Sequence, residues 1–118
     1  MVTIKKIAQY ALFSDDRSLD ILIENFLRDN PVLKSIPRPE DTDQRTMIMA
    51  AALLDLLAAR TRQQPPKWTK DEGEMSEPFF LRASALNNEQ LRKQCLAEAP
   101  EPLKKHGVYA TADFLLAV

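Results

Sequence analysis

The sequence predicts a mainly α fold, a small helical bundle whose C-terminal half is rich in loops and prolines. Apolar residues in the first half recur at intervals of three and four, as on the buried face of a helix. Prolines interrupt that pattern, since the chain has eight prolines but only two glycines. No segment shows the alternation typical of a strand. The 118 residues predict a single domain (1–118), with loops and short helices of residues 64–118 packed on a three-helix part, residues 1–63.

The first two helices are predicted to form a hairpin. Their apolar stripes are Ile4, Ile7, Ala8, Ala11 and Leu12 in the first, and Leu19, Leu22, Ile23, Phe26 and Leu27 in the second. The predicted solvent-facing side of the second helix carries Asp20, Glu24 and Arg28. Between the stripes, the oxygens of Ser14, Asp15 and Asp16 offer a cap for the second helix. This helix is expected to end at Asn30, because the residue before Pro31 disfavours helical backbone geometry.

A proline-containing crossover, residues 31–41, leads to the third helix. Val32, Leu33 and Ile36 are expected to hold the crossover against the core. The third helix is predicted over residues 43–62, with Asp41 or Thr42 as its N-cap. Its apolar residues cover nearly the whole circumference, so the helix is either the centre of the bundle or an interface between two copies of the chain. The pattern leaves a homodimer through this helix open.

Short elements are predicted in the C-terminal half. A helix is expected to begin near Asn88, with Asn87 as its N-cap and Gln90 completing a capping box. It should end by Ala99 and bury Leu91, Cys95 and Leu96. A further turn, residues 102–106, would be closed by Gly107, which tolerates the left-handed conformation. Thr111 is expected to cap a last turn that contains Phe114, Leu115 and Leu116.

Charge and hydropathy predict a cytoplasmic protein that does not enter membranes. The net charge of −1 creates no global field that would attract nucleic acid or anionic lipid. The longest apolar stretch, residues 47–59, is shorter than the roughly twenty residues that span a bilayer, and it contains Asp55. The N-terminus lacks the apolar core of a secretory leader. The lone Cys95 is expected to be a reduced core residue.

No motif for catalysis, metal binding or a cofactor is present. His106 is the one histidine, which excludes a metal site built on two histidines of one chain. Together with Lys104 and Lys105, it is predicted to be a cation at a helix C-terminus. We therefore expect no catalytic residue, no metal and no cofactor. An enzyme whose carboxylates meet only in three dimensions is the second alternative function.

A DNA-associated transcriptional regulator is the first alternative function. Its candidate residues form three small basic clusters: Lys5 and Lys6, Arg60 and Arg62, and Lys104 and Lys105. The second helix argues against DNA binding, because the acidic side chains on its polar face would repel phosphates. Nucleic acid is therefore disfavoured as a partner.

The favoured function is binding of another protein. Its candidate residues are Trp68, Pro78, Phe79 and Phe80, in an aromatic and proline-containing segment of the kind that recognition patches use. The alternative is that these aromatic residues hold a long loop against the core. The neighbouring acidic residues 71–74 are expected to form a solvated loop.

The second half of the chain resembles the C-terminal region of a group of small bacterial proteins of poorly assigned function. The resemblance covers roughly residues 65–118 and rests on short motifs: Pro66-Lys67-Trp68, Glu77-Pro78-Phe79-Phe80, Ala97-Glu98-Ala99-Pro100, Lys104-Lys105, Val108 and Phe114-Leu115. This chain departs from the pattern at Phe79, where tryptophan is usual, and at His106-Gly107, where a further basic residue and a non-glycine are expected. Some members are associated with toxin–antitoxin modules or follow a helix-turn-helix. The resemblance implies a bacterial, cytoplasmic, interaction-type protein and favours an antitoxin-like regulatory role. The expected partner is another protein, encoded by a neighbouring gene.

Overall fold

Five α-helices dominate the part of the chain that the computed structural model describes, which is residues 2–13, 18–40, 42–81, 88–112 and 114. The helices are α1 (Ile4–Phe13), α2 (Ser18–Asp29), α3 (Gln44–Arg60), α4 (Glu89–Glu98) and α5 (Glu101–Lys104). Two 3-10 helices (Leu33–Ser35 and Lys67–Asp71) and two short strands, β1 (Phe79–Phe80) and β2 (Val108–Tyr109), complete the order. The predicted mainly α fold class is confirmed.

The hairpin helices bury the faces that their periodicity predicts. On α1 the buried residues are Ile4, Ile7, Ala8 and Ala11. On α2, Ile23 and Phe26 are buried, while Asp20, Glu24 and Arg28 are exposed. The predicted caps Ser14, Asp15 and Asp16 lie outside the described residues. In the crossover, Leu33 is buried and Ile36 packs against the core, but Val32 is 50% exposed, so its predicted anchoring role is wrong.

The N-cap of α3 is Asp43, which corrects the predicted Asp41 or Thr42. The Asp43 carboxylate accepts hydrogen bonds from the Thr46 backbone N–H at 3.2 Å and from the Thr46 hydroxyl at 2.5 Å. The helix therefore begins one residue later than predicted. It ends at Arg60, because Arg62 adopts a left-handed conformation (φ 57°) and the Gln63 N–H turns back to the Ala58 carbonyl at 2.8 Å.

The apolar circumference of α3 is covered by the chain itself. All residues from Thr46 to Ala58 are buried within one chain. The elements that pack on α3 include α1, α5 and the 3-10 helix Lys67–Asp71. A partner chain is therefore not needed to bury this helix, which removes the reason for expecting a homodimer through residues 43–62.

The C-terminal half contains strands that the sequence does not predict. β1 and β2 pair in parallel, with Phe79 opposite Val108 and Phe80 opposite Tyr109. Two residues per strand are too few to produce a recognisable alternation. The α4 cap is also corrected, since Asn88 rather than Asn87 is the N-cap and its side chain accepts from the Leu91 N–H.

In this half, α4 ends where the sequence predicts, but not all of its predicted core residues are buried. The α4 helix ends before Ala99 as expected, and it buries Cys95 but leaves Leu96 41% exposed. Near the C-terminus, the Phe114 N–H donates to the Thr111 carbonyl at 3.1 Å, whereas Leu115 and Leu116 lie outside the described residues. No helix in the described ranges is long and apolar enough to cross a membrane.

Gly107 is required by its backbone geometry. Its φ is +74°, and a Cβ there would lie 3.0 Å from the Met75 backbone nitrogen. Because the left-handed conformation alone costs an L-residue about 1–2 kcal/mol, Gly107→Ala is expected to lower the free energy of unfolding by at least that amount in urea titration. Gly73→Ala is the matched control, since a Cβ at Gly73 meets nothing within 4 Å. Equal stability of the two variants would contradict the prediction.

Candidate functional site

A surface groove of about 620 Å³ lies between the first turns of α3 and residues 74–79. The buried side chains of Ile48 and Met75 line it, together with the half-buried Phe79. The exposed Pro78 lies beside Phe79 at the same groove. Two of the four residues predicted to bind a partner therefore meet at one concave surface.

Charged side chains also line this groove. They are the acids Asp43, Glu74 and Glu77 and the base Arg45. The Arg45 guanidinium carbon lies 5.2 Å from the centre of the Phe79 ring, which is cation–π geometry. The hydrogen bond from the Thr46 hydroxyl lowers the pKa of Asp43; desolvation opposes this effect, and backbone N–H groups support it. Asp43 is therefore a carboxylate at neutral pH.

Residues 106–109 hold in place residues 75–81, part of which lines the groove. The Met75 N–H donates to the His106 carbonyl at 2.9 Å, the Phe79 N–H to the Gly107 carbonyl at 3.0 Å, and the Leu81 N–H to the Tyr109 carbonyl at 2.9 Å. Phe80 packs on Tyr109, with ring centres 5.8 Å apart. The conformation of residues 75–81 thus depends on the turn after α5.

A cluster of polar side chains is centred on the buried carboxylate of Asp55 in α3. Asp55 is 4% exposed, and three side chains of the described residues contact its carboxylate. The His106 Nε2 lies 2.8 Å from Oδ2, the Lys105 Nζ lies 3.2 Å from the same oxygen, and the Thr69 hydroxyl donates to Oδ1 at 2.7 Å. The other ring nitrogen of His106, Nδ1, lies 2.8 Å from the Gly73 carbonyl oxygen.

Both ring nitrogens of His106 face oxygen acceptors. The ring therefore bridges the Asp55 carboxylate and the Gly73 carbonyl. Burial raises the pKa of Asp55, but hydrogen bonds from His106, Thr69 and Lys105 and the charge of Lys105 outweigh it and lower the pKa. Because neither nitrogen of His106 is available to a substrate, the pair acts as a structural clamp between α3, the loop at Gly73 and the turn after α5.

Acid is expected to weaken this clamp. The pKa of Asp55 is lower in the folded chain than its ordinary value of 3.8, so the folded carboxylate binds a proton less readily than the unfolded one. Its stabilisation is therefore complete above that value and is lost as the pH falls through the lower folded pKa. In urea titrations at pH 6 and pH 3, the wild type should lose more stability than Asp55→Leu/His106→Leu. The capping carboxylate Asp43 is retained in both proteins, and equal losses would contradict the prediction.

Trp68 lies apart from the groove and is not among the residues that line it. Its half-buried indole packs against the core, and Nε1 donates to the Ile36 carbonyl at 2.9 Å. Trp68 thus ties the 3-10 helix Lys67–Asp71 to the crossover. The loop-clamping interpretation describes its observed contacts, whereas Pro78 and Phe79 line the groove and Phe80 stacks next to it.

The basic clusters are partly occupied by contacts within the chain. Arg60 donates to the carbonyls of Ala112 and Phe114, and Lys105 pairs with Asp55. The Lys5 ammonium lies 3.4 Å from the Glu40 carbonyl oxygen. The other three members, Lys6, Arg62 and Lys104, are exposed. His106 is buried against Asp55, which corrects its predicted role as a cation at a helix end.

The Asp55–His106 pair is the feature that sequence reasoning missed. Its two members are 51 residues apart, so no local spacing indicates it. One signal was available, because an aspartate inside a thirteen-residue apolar stretch needs a buried partner, and the chain has one histidine. Among the described residues, no three His, Cys, Asp or Glu side chains are grouped to hold a metal ion.

Comparison of the chain with family models, with curated protein sequences and with solved structures found no significant match.

Proposed function

We propose that this chain is a small cytoplasmic regulatory protein that acts by binding another protein, with the groove between α3 and residues 74–79 as its docking site. The observation that carries the proposal is the position of Pro78 and Phe79 on a concave surface of about 620 Å³. Aromatic side chains in such surfaces supply much of the binding energy of protein interfaces. The backbone bonds to residues 106–109 keep this surface preorganised, which reduces the entropy lost on binding.

An antitoxin-like role belongs to the same proposal. It is supported by the resemblance of residues 65–118 to bacterial proteins associated with toxin–antitoxin modules. The resemblance also directs the search for the partner, since such partners are encoded by adjacent genes. Of the four predicted binding residues, the proposal retains Pro78 and Phe79 as contacts and Phe80 as their support. Trp68 is assigned to loop anchoring.

Co-purification after co-expression with the products of adjacent genes tests the proposal. The informative variant is Ser76→Trp, because Ser76 is exposed and lines the groove, so an indole there would fill it. Ser35→Trp is the matched control at an exposed serine of the first 3-10 helix. We expect the wild type and Ser35→Trp to retain one neighbour product that Ser76→Trp loses. Circular dichroism melting would show that both variants fold.

Two results would refute the proposed function. One is that no neighbour product co-purifies with the wild type. The other is that Ser76→Trp binds the partner as tightly as Ser35→Trp does.

A further inference from the structure

We propose that the groove receives a basic segment of the partner protein, with a lysine or arginine side chain placed against its acidic rim. This inference rests on the proposed function and specifies the chemistry of the occupant. The charges of the groove carry it, since three carboxylates and one guanidinium line the surface. The groove is thus negative in a chain whose overall charge is only −1.

Two of these carboxylates, those of Glu74 and Glu77, form the acidic rim of the groove and are available to a partner. Glu74 and Glu77 are exposed and form no ion pair within the described ranges. The nearby Glu72 differs, because its carboxylate is already bound to Arg38 at 2.9 Å. Opposite charges across an interface steer association and select the partner. An unpaired acidic rim therefore favours a basic occupant over nucleic acid or an anionic membrane, both of which it would repel.

The contact between Arg45 and Phe79 shows how the groove accommodates a cation. The guanidinium lies 5.2 Å from the ring centre, at the distance where the negative face of an aromatic ring attracts positive charge. Next to this ring, Ile48 and Met75 offer an apolar floor for the methylene groups of a long basic side chain. Arg45 itself competes with such an occupant, because it reduces the negative charge and covers Phe79.

Because of this competition, removing the positive charge and removing the negative charges of the groove should have opposite effects on binding. Arg45→Gln should strengthen binding of a basic segment by about threefold, whereas loss of two rim carboxylates in Glu74→Gln/Glu77→Gln should weaken it roughly tenfold at low salt. A groove that recognises only apolar side chains would respond to neither change. Added salt should reduce both effects, because the rim charges are exposed.

Selection from a phage-displayed library of random octapeptides against the full chain provides the test. Selected peptides should be enriched in lysine and arginine over aspartate and glutamate. Fluorescence anisotropy with a synthetic selected peptide then compares the variants. The matched control is Asp71→Asn/Glu98→Gln, which changes the net charge equally at exposed acids that do not line the groove and should alter the affinity by less than about twofold.

The outcomes separate the inference from the proposed function. Peptides that bind at the groove, as shown by loss of binding in Ser76→Trp, but lack basic residues would overturn the inference and leave the docking site intact. Equal weakening by the rim variant and its control would also overturn the inference, since it would reflect net charge alone. If Ser76→Trp weakens the binding of no selected peptide, both the inference and the proposed site are wrong.

Discussion

Replacing His106 with leucine is expected to lower the free energy of unfolding by about 1–3 kcal/mol, because it removes a hydrogen-bond partner of the buried Asp55 carboxylate. Asp55 would keep Thr69 and the half-exposed Lys105, but it would lose the buried His106 ring. The Gly73 carbonyl would lose its bond to the ring as well. Urea titration monitored by Trp68 fluorescence measures the loss.

The double variant Asp55→Leu/His106→Leu is the control for this prediction. Replacing both members of a buried hydrogen-bonded pair with apolar residues leaves no unpaired group and can be nearly neutral or stabilising. We expect the double variant to be more stable than His106→Leu alone. If the single and double variants unfold at the same urea concentration, the cost does not come from the unpaired carboxylate and the clamp interpretation fails.

Shortening Leu53 to alanine is expected to cost about 2–5 kcal/mol, as for other fully buried leucines. Leu53 has no exposed surface and lies at the centre of α3, so the substitution leaves a cavity inside one chain. Leu96→Ala is the matched control, because Leu96 is 41% exposed on α4 and should cost much less. Thermal melting of both variants provides the measurement.

The same experiment separates a central helix from a dimer interface. Since the chain itself covers α3, the melting temperature of Leu53→Ala and of the wild type should not depend on protein concentration. Unfolding that is coupled to dissociation makes the melting temperature rise with concentration. Such a rise, together with a shift from dimer to monomer in Leu53→Ala, would show that the helix is buried between two copies.

The N-terminal half could be predicted from sequence because its information is local. The stripes of α1 and α2 repeat over three turns, so periodicity alone identifies the buried faces. Helix boundaries are harder to predict, because neighbouring residues offer similar capping groups. Asp41, Thr42 and Asp43 all carry suitable oxygens, and only the bond from Thr46 identifies Asp43 as the cap. Asn87 and Asn88 present the same ambiguity.

The candidate site could be predicted only in part, because the contacts that form it join residues that are far apart in the sequence. The residue types of Pro78 and Phe79 indicate a binding role, and the structure places both at one groove. The groove itself depends on the pairing of Phe79 with Val108, and the clamp depends on Asp55 meeting His106. Neither contact leaves a periodic pattern. The near-zero net charge also conceals the local excess of acids that the fold brings together at the groove.

The long separation between Asp55 and His106 has a consequence for the order of events on the ribosome. A chain is synthesised from its N-terminus, so α1, α2 and α3 emerge well before the turn that carries His106 and Gly107. Until that turn appears, Asp55 lacks its buried partner, and residues 75–81 lack the carbonyl groups that position them. A nascent chain can therefore pack α1 on α3 early, but the cover of α3 by α5 and the docking surface are completed only when the residues through 109 have been added.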